Sequence, residues 1–192
     1  MDYHKTYSET FKNSDYASLG HNDPKFNYIL NKIEEKEITS IIDVGSGRGS
    51  LIELIKDKFL NVKLLSIDLD KFSQINVDFM KVDLSNDNDR KNLYEIEKHE
   101  LLTCLDVLEH LDKSFINEVL SLFSNISDRC IFTIANHSDV WNGVELHTIQ
   151  EDFSYWEPIL LKYFKIVHYE EMYIENNKPR LYFLELVSIK SV

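Results

Sequence analysis

The stretch Ile41-Ile42-Asp43-Val44-Gly45-Ser46-Gly47-Arg48-Gly49-Ser50 decides the reading of this chain. Its apolar run, Ile41 to Val44, ends in three glycines at alternate positions, and the helical spacing Leu51, Ile52, Leu54, Ile55 follows at once. That order is a strand, a tight turn and the start of a helix over 49–58. Gly45 and Gly47 remove side chains where the chain must reverse and where a small ligand must approach backbone. Gly49 is expected to permit close helix packing. The free N–H groups of the helix start face whatever the turn holds.

Working outward, Asp23-Pro24 opens a helix with the apolar stripe Phe26, Ile29, Leu30 and Ile33, and the first strand covers 40–44. Further strands are expected at 62–67, 77–81, 101–105 and 129–134. A short polar helix is expected at 87–98, and another beginning near Glu109 with Leu111, Phe115, Val119 and Leu122 on one face. A long loop with Asn136, His137, Asn142 and Gly143 leads to a helix at 152–163 anchored by Trp156, Ile159 and Leu160. Two strands, 164–173 and 180–189, close the chain, joined by Glu175-Asn176-Asn177-Lys178-Pro179. Alternating strands and helices argue for an α/β fold, a parallel sheet with helices on both faces. The closing pair has too short a connection for a parallel crossover, so it is antiparallel and the seven-stranded sheet is mixed. Residues 1–23, with Tyr3, Tyr7, Phe11 and Tyr16, read as an arm. No repeat, linker or low-complexity run appears, so 1–192 reads as a single domain with its core at 38–190.

The chain's 192 residues, 43% hydrophobic, suit one well-buried core. A formal charge of -12 repels phosphate backbones and argues against nucleic-acid binding. The polar amino terminus lacks a signal-peptide pattern, and no run approaches the roughly 18 apolar residues of a membrane span. Cys104 and Cys130 sit in apolar strand-like segments, as buried free thiols in a reducing compartment do. A cytoplasmic protein is expected.

Asp68 ends the second strand in Ser66-Ile67-Asp68-Leu69-Asp70. In a doubly wound sheet its carboxylate lies beside the glycine turn, where it accepts hydrogen bonds from both hydroxyls of a ribose. Nicotinamide dinucleotides favour G-x-G-x-x-G, whereas this chain has G-x-G-x-G and lacks length for a second substrate domain. The carboxylate of Asp43, at the end of strand one, opposes a pyrophosphate but suits a sulfonium or an ammonium group. S-adenosylmethionine carries both.

These motifs resemble those of the class I S-adenosylmethionine-dependent methyltransferases, in particular the small-molecule type. Ile42-Asp43-Val44-Gly45-Ser46-Gly47-Arg48-Gly49 is similar to that family's cofactor loop and Asp68 to its ribose-binding acid. Asp83, in Lys81-Val82-Asp83-Leu84, resembles the acid that contacts the adenine amino group. Asp106-Val107-Leu108-Glu109-His110-Leu111 resembles the segment after strand four. The resemblance covers roughly 38–190 and implies a Rossmann-like three-layer sandwich with sheet order 3-2-1-4-5-7-6 and the final strand antiparallel. It implies cofactor contacts from Asp43, Gly45, Ser46, Gly47, Gly49, Asp68, Leu69, Asp83, Leu84 and Asp106, with S-adenosyl-L-homocysteine as product.

On the acceptor side, His137, just past strand five, is the first candidate for a base or substrate donor; His110 and Glu109 follow as catalytic candidates. Tyr7 and Tyr16 from the arm, with Trp141, Glu145 and His147 from the long loop, are candidate substrate contacts. Glu145 and His147 share a side if that piece is extended. Gly143-Val144-Glu145-Leu146-His147-Thr148 also resembles a stretch in some methyltransferases linked to surface polysaccharide or phage genomes. A small polar acceptor is expected, a sugar or nucleotide-linked sugar included, for a monomer or homodimer without membrane contact. No metal ligand is assigned. One alternative is a metal-dependent RNA 2′-O-methyltransferase, because Asp106, Glu109, His110 and His147 resemble in type the magnesium ligands of small-RNA 3′-end methyltransferases. The acidic charge argues against it. A non-catalytic cofactor binder is the other alternative, and a nicotinamide oxidoreductase is disfavoured by Asp43.

Overall fold

The computed structural model describes residues 6, 9, 10, 23–176 and 178–191. The candidate arm residues Tyr7 and Tyr16 lie outside them. Seven strands form the main sheet: β1 (Ser40–Val44), β2 (Lys63–Asp68), β3 (Asp78–Lys81), β4 (His99–Leu105), β5 (Ser127–Ala135), β6 (Phe164–Glu175) and β7 (Lys178–Ser188). Their order is β3-β2-β1-β4-β5-β7-β6, the mixed arrangement expected from the sequence. The chain divides into two compact units, 1–83 and 84–192.

In the first unit, α1 (Pro24–Glu35) starts where Asp23 caps it, its side chain accepting from the Lys25 N–H at 2.9 Å. Phe26, Ile29 and Ile33 from its stripe are buried. β1 pairs parallel with β2, and β2 with β3. Ile41 and Ile42 in β1 and Ile52 and Ile55 in α2 (Ser50–Lys58) are almost fully buried, which ties the glycine turn to packed elements on both sides.

In the second unit, β4 pairs parallel with β5, and β7 runs antiparallel to both β5 and β6. Helix α4 (Lys113–Ile126) buries Ile116, Val119, Leu120 and Phe123. α5 (Phe153–Leu160) buries Trp156, the anchor expected from its spacing. Cys104 and Cys130 are buried free thiols. The outermost strand β6 carries exposed Val167, Tyr169, Tyr173 and Ile174 beside exposed Glu170, Glu171 and Glu175, with a register shift at Ile166/His168. Among the described residues no helix is long and apolar enough to cross a membrane.

Two expected helices are shorter. The polar helix α3 (Asp87–Leu93) ends well before residue 98: the N–H groups of Tyr94, Glu95 and Ile96 turn back three residues, to Lys91, Asn92 and Leu93, and unwind it. The helix expected from Glu109 begins at Lys113, capped by Asp112, whose carboxylate accepts from the Ser114 N–H at 2.8 Å. Leu108–His110 instead form a single 3₁₀ turn. The long loop contains a short hairpin, Val140–Trp141 against Val144–Glu145, turned by Asn142 and Gly143 at φ 51° and 78°. Two successive positive φ values are the signature of the Asn-Gly hairpin turn.

Candidate active site

The glycine turn hangs from the end of β2. The N–H groups of Gly45 and Ser46 both donate to the Ile67 carbonyl, at 2.8 and 3.1 Å. The Gly47 N–H donates to Asp68 Oδ2 at 2.7 Å, and Asp68 Oδ1 accepts the Leu69 N–H at 2.7 Å. Ser66 Oγ donates to Ser46 Oγ at 2.6 Å, a second tie between strand and turn. Gly47 sits at φ 54° and Gly49 at φ 83°, conformations that favour glycine. Gly49 has a second constraint: a Cβ there would lie 2.5 Å from Ser73 Oγ. The close packing at Gly49, the N-cap of α2, is against the segment after β2.

Asp68 is half-buried, and burial pushes its carboxyl up to about 6 against the lowering effect of the Gly47 and Leu69 amides, with Asp70 adding to the rise. A carboxylate has about four acceptor sites. The two amides take one on each oxygen, so each oxygen keeps room for one hydroxyl donor. Asp43 is 4% exposed at the end of β1. Asp83 stands half-buried two positions after β3, followed by buried Leu84.

In the second unit, Asp106 follows β4 at φ 54°, and Thr133 of β5 holds it there. The Asp106 N–H donates to Thr133 Oγ1 at 2.9 Å, and that hydroxyl donates to Asp106 Oδ1 at 2.6 Å. Glu109 is fully buried; its Oε1 accepts the Ala135 N–H at 2.8 Å. Its carbonyl accepts from the Ile149 N–H at 3.0 Å and from Thr148 Oγ1 at 3.1 Å. These bonds bind the 3₁₀ turn to the far end of the long loop.

That loop brings three imidazoles into a row. The His110 and His147 rings meet edge to face at 4.6 Å, and those of His137 and His147 at 4.9 Å. His110 Nδ1 donates to the Leu146 carbonyl at 3.0 Å and His147 Nδ1 to the His137 carbonyl at 2.6 Å. Burial, reinforced by the neighbouring His147, pulls His110 down to about 4. Burial also lowers His147. Both rings are therefore neutral at pH 7. Half-buried His137 places Nδ1 3.0 Å from the Ser138 carbonyl.

The Glu145 and His147 side chains both reach the 137–139 segment. Glu145 turns its carboxylate into its own loop, accepting the N–H groups of Asp139 and His147 at 2.9 and 3.1 Å and the Ser138 hydroxyl at 2.5 Å. His147 points to His110. Trp141 is half-buried in the short hairpin. One donor atom each from Glu109, His110 and His147 lies within 4.8 Å of the other two, a grouping able to hold a metal ion and made of three of the four residues weighed in the metal-dependent alternative. Thr133 and Thr148 went unmarked, and nothing in their local sequence singles them out. The Asn142-Gly143 dipeptide was a readable hairpin signal.

No family model and no curated protein matches the sequence. The fold has many relatives among solved structures. The N-methyltransferase NodS from Bradyrhizobium japonicum WM9, in complex with S-adenosyl-L-homocysteine, is 11% identical with a TM-score of 0.69, over 98% of this chain and 100% of that one. Magnesium protoporphyrin IX methyltransferase from Synechocystis PCC 6803, with bound S-adenosylmethionine, is 17% identical with a TM-score of 0.65, over 98% of each chain. An S-adenosylmethionine-dependent methyltransferase from Clostridium acetobutylicum ATCC 824 is 16% identical with a TM-score of 0.66, over 96% of this chain and 98% of that one. The chain has the fold of the class I S-adenosylmethionine-dependent methyltransferases.

Proposed function

We propose that this protein is an S-adenosylmethionine-dependent methyltransferase acting on a small hydroxylated or amino acceptor, with a sugar or nucleotide-linked sugar as the favoured class. The observation that carries the reading is Asp68, fixed beside the glycine turn by the Gly47 amide at 2.7 Å, with one acceptor site left on each oxygen. Two vicinal ribose hydroxyls match that capacity. Buried Asp43 supplies negative charge suited to the ammonium or sulfonium of the same ligand. Ser46, Gly49, Leu69, Asp83, Leu84 and Asp106 complete the proposed cofactor set. When bound, the cofactor would supply an electrophilic methyl group for in-line transfer to an oxygen or nitrogen of the acceptor, with S-adenosyl-L-homocysteine as the leaving group.

The residues of the chain bind and orient. Alignment of held reactants contributes about 7–11 kcal/mol in favourable cases. A hydroxyl acceptor also needs its proton removed. His137 is the proposed base: its half-buried ring takes that proton, while the Ser138 carbonyl fixes its orientation. Glu109 and His110 are the further proposed catalytic candidates, and Tyr7, Tyr16, Trp141, Glu145 and His147 the proposed acceptor contacts. We take 1–192 as one catalytic domain in the cytoplasm, monomeric or homodimeric. The test is calorimetry with S-adenosyl-L-homocysteine, followed by transfer of labelled methyl to a panel of sugars, nucleotide sugars and amines. Saturable binding with label in one acceptor class supports the reading. Binding without transfer to any acceptor favours a non-catalytic binder, and no binding by folded protein overturns both.

A further inference from the structure

Asp106 stands apart among the residues held at positive φ. Besides glycines, the described residues in that region are Glu37, Asp106, Asn142, Tyr173 and Asn176. The other four are exposed, whereas Asp106 is half-buried just past β4. Aspartate tolerates φ 54° better than most side chains do, yet such a backbone persists only where its surroundings fix it. Here Thr133 of β5, fully buried, does the fixing.

The register of the sheet brings the two together. Leu105 lies opposite Thr133 in the β4–β5 pair, and Asp106 is the next residue. The Asp106 N–H donates to the Thr133 carbonyl at 3.2 Å and to Thr133 Oγ1 at 2.9 Å. The one hydroxyl proton of Thr133 then goes to Asp106 Oδ1 at 2.6 Å. Backbone and carboxylate of Asp106 thus converge on a single oxygen atom, which sets the torsions between them. A step of about 120° to another staggered χ1 well would break the Oδ1 bond. The His110 ring bonds the Asp106 carbonyl, so the main chain is held on its other side as well. With Oδ1 engaged by Thr133, Oδ2 is the oxygen with capacity for a ligand.

We propose that Thr133 is a positioning residue for the cofactor: its hydroxyl holds Asp106 in the orientation that presents Oδ2 to the S-adenosyl ligand. The inference rests on the cofactor reading of Asp106 and adds to it a residue that acts only through that carboxylate. The gain is preorganisation. A carboxylate free to turn among rotamers loses that freedom on binding, whereas this one has lost it on folding. Valine at this position would keep the branched shape suited to a central strand and remove only the hydroxyl. The bond from the Asp106 N–H to the residue-133 carbonyl survives that change, so the end of β4 stays in place while the carboxylate is released.

The experiment is calorimetry of S-adenosyl-L-homocysteine on the full chain, with four variants checked for folding by thermal melts. Thr133→Val should weaken binding about tenfold, the order expected for one hydrogen bond to a charged group. Thr133→Ser, which keeps the hydroxyl, should bind like wild type. Asp106→Gly, which keeps the left-handed backbone without strain, should lose a similar factor. Adding Thr133→Val to Asp106→Gly should then change affinity by no more than about twofold, because the carboxylate it acts through is gone. A merely structural threonine would instead weaken both backgrounds alike. Unchanged affinity in folded Thr133→Val, failure of Thr133→Ser to bind like wild type, or equal losses in the two backgrounds each overturns the proposal while leaving the cofactor reading intact. No binding by folded wild-type protein overturns that reading and the proposal with it. If Thr133→Val fails to fold, Thr133→Cys, a weaker hydrogen-bond donor of similar size, replaces it under the same criteria.

Discussion

The glycine turn and the histidine row solve the same problem with reversed polarity. At the turn, backbone amides donate to a carboxylate: Gly47 and Leu69 fix Asp68. In the row, imidazoles donate to backbone carbonyls: His110 to Leu146 and His147 to His137. One set carries negative charge, whereas burial keeps the other neutral at pH 7. The first suits hydroxyl donors and a cationic ligand, whereas the second ties the turn after β4 to the long loop. The two also respond to acid in opposite directions.

The sharpest way to break this contrast is Asp68→Ala. Hydrogen bonds to a charged group contribute about 1.5–3 kcal/mol each, so losing two should weaken S-adenosyl-L-homocysteine binding by roughly a hundredfold or more in calorimetry. Unchanged affinity would remove the ribose assignment. Next in size, His137→Ala should lower turnover of a hydroxyl acceptor by about a hundredfold, within the usual range for a general base, at unchanged cofactor affinity. Equal turnover would return His137 to a purely supporting role beneath His147.

Glycine replacement compares the two regions directly. Gly49→Ala combines φ 83° with a Cβ 2.5 Å from Ser73 Oγ. It should cost about 2–3 kcal/mol, a fall in melting temperature of roughly 4–12 °C for a chain of this size. Gly143→Ala has φ 78° with nothing within 4 Å, so only the backbone term of about 1 kcal/mol remains. Equal costs at both positions would show that space around Gly49 does not matter.

The smallest expected effect is in pH dependence. Folded Asp68 takes its proton near 6, whereas an unfolded Asp waits until 3.8, so this group adds stability as pH falls between those values. Folded His110 resists protonation to about 4, whereas an unfolded His takes its proton at 6.5, so this group subtracts stability as pH falls over that window. Asp68→Asn should therefore steepen the acid loss of stability between pH 6 and 4, and His110→Gln should flatten it, both read from denaturant melts. Cofactor affinity should decline below pH about 6 as Asp68 is protonated.

The glycine turn was legible because its determinants are contiguous: strand, three glycines and helix lie in ten residues, and Asp68 closes the next strand. The mixed sheet followed from alternation and from the short connection before β7, and its order from the resemblance. The members of the histidine row were named from the sequence, but their geometry was not legible. Glu109 and His110 look like the first turn of a helix by spacing, yet bonds from Ile149 and from Thr148, 39 positions beyond Glu109, hold them in a 3₁₀ turn. Glu145 and His147 alternate correctly for an extended piece, but the amides of Asp139 and His147 draw the Glu145 carboxylate inward. Side-chain direction there depends on partners that local pattern does not name.

The outer edge of the sheet has a consequence for crowding. β6 offers its backbone to any passing strand, and exposed Val167, Tyr173 and Ile174 would reward the docking. The offset at Ile166/His168 and the neighbouring carboxylates of Glu170, Glu171 and Glu175 oppose it. A ribbon laid against this rim meets acidic side chains and a mismatched ladder, both of which work against filament growth from this flank.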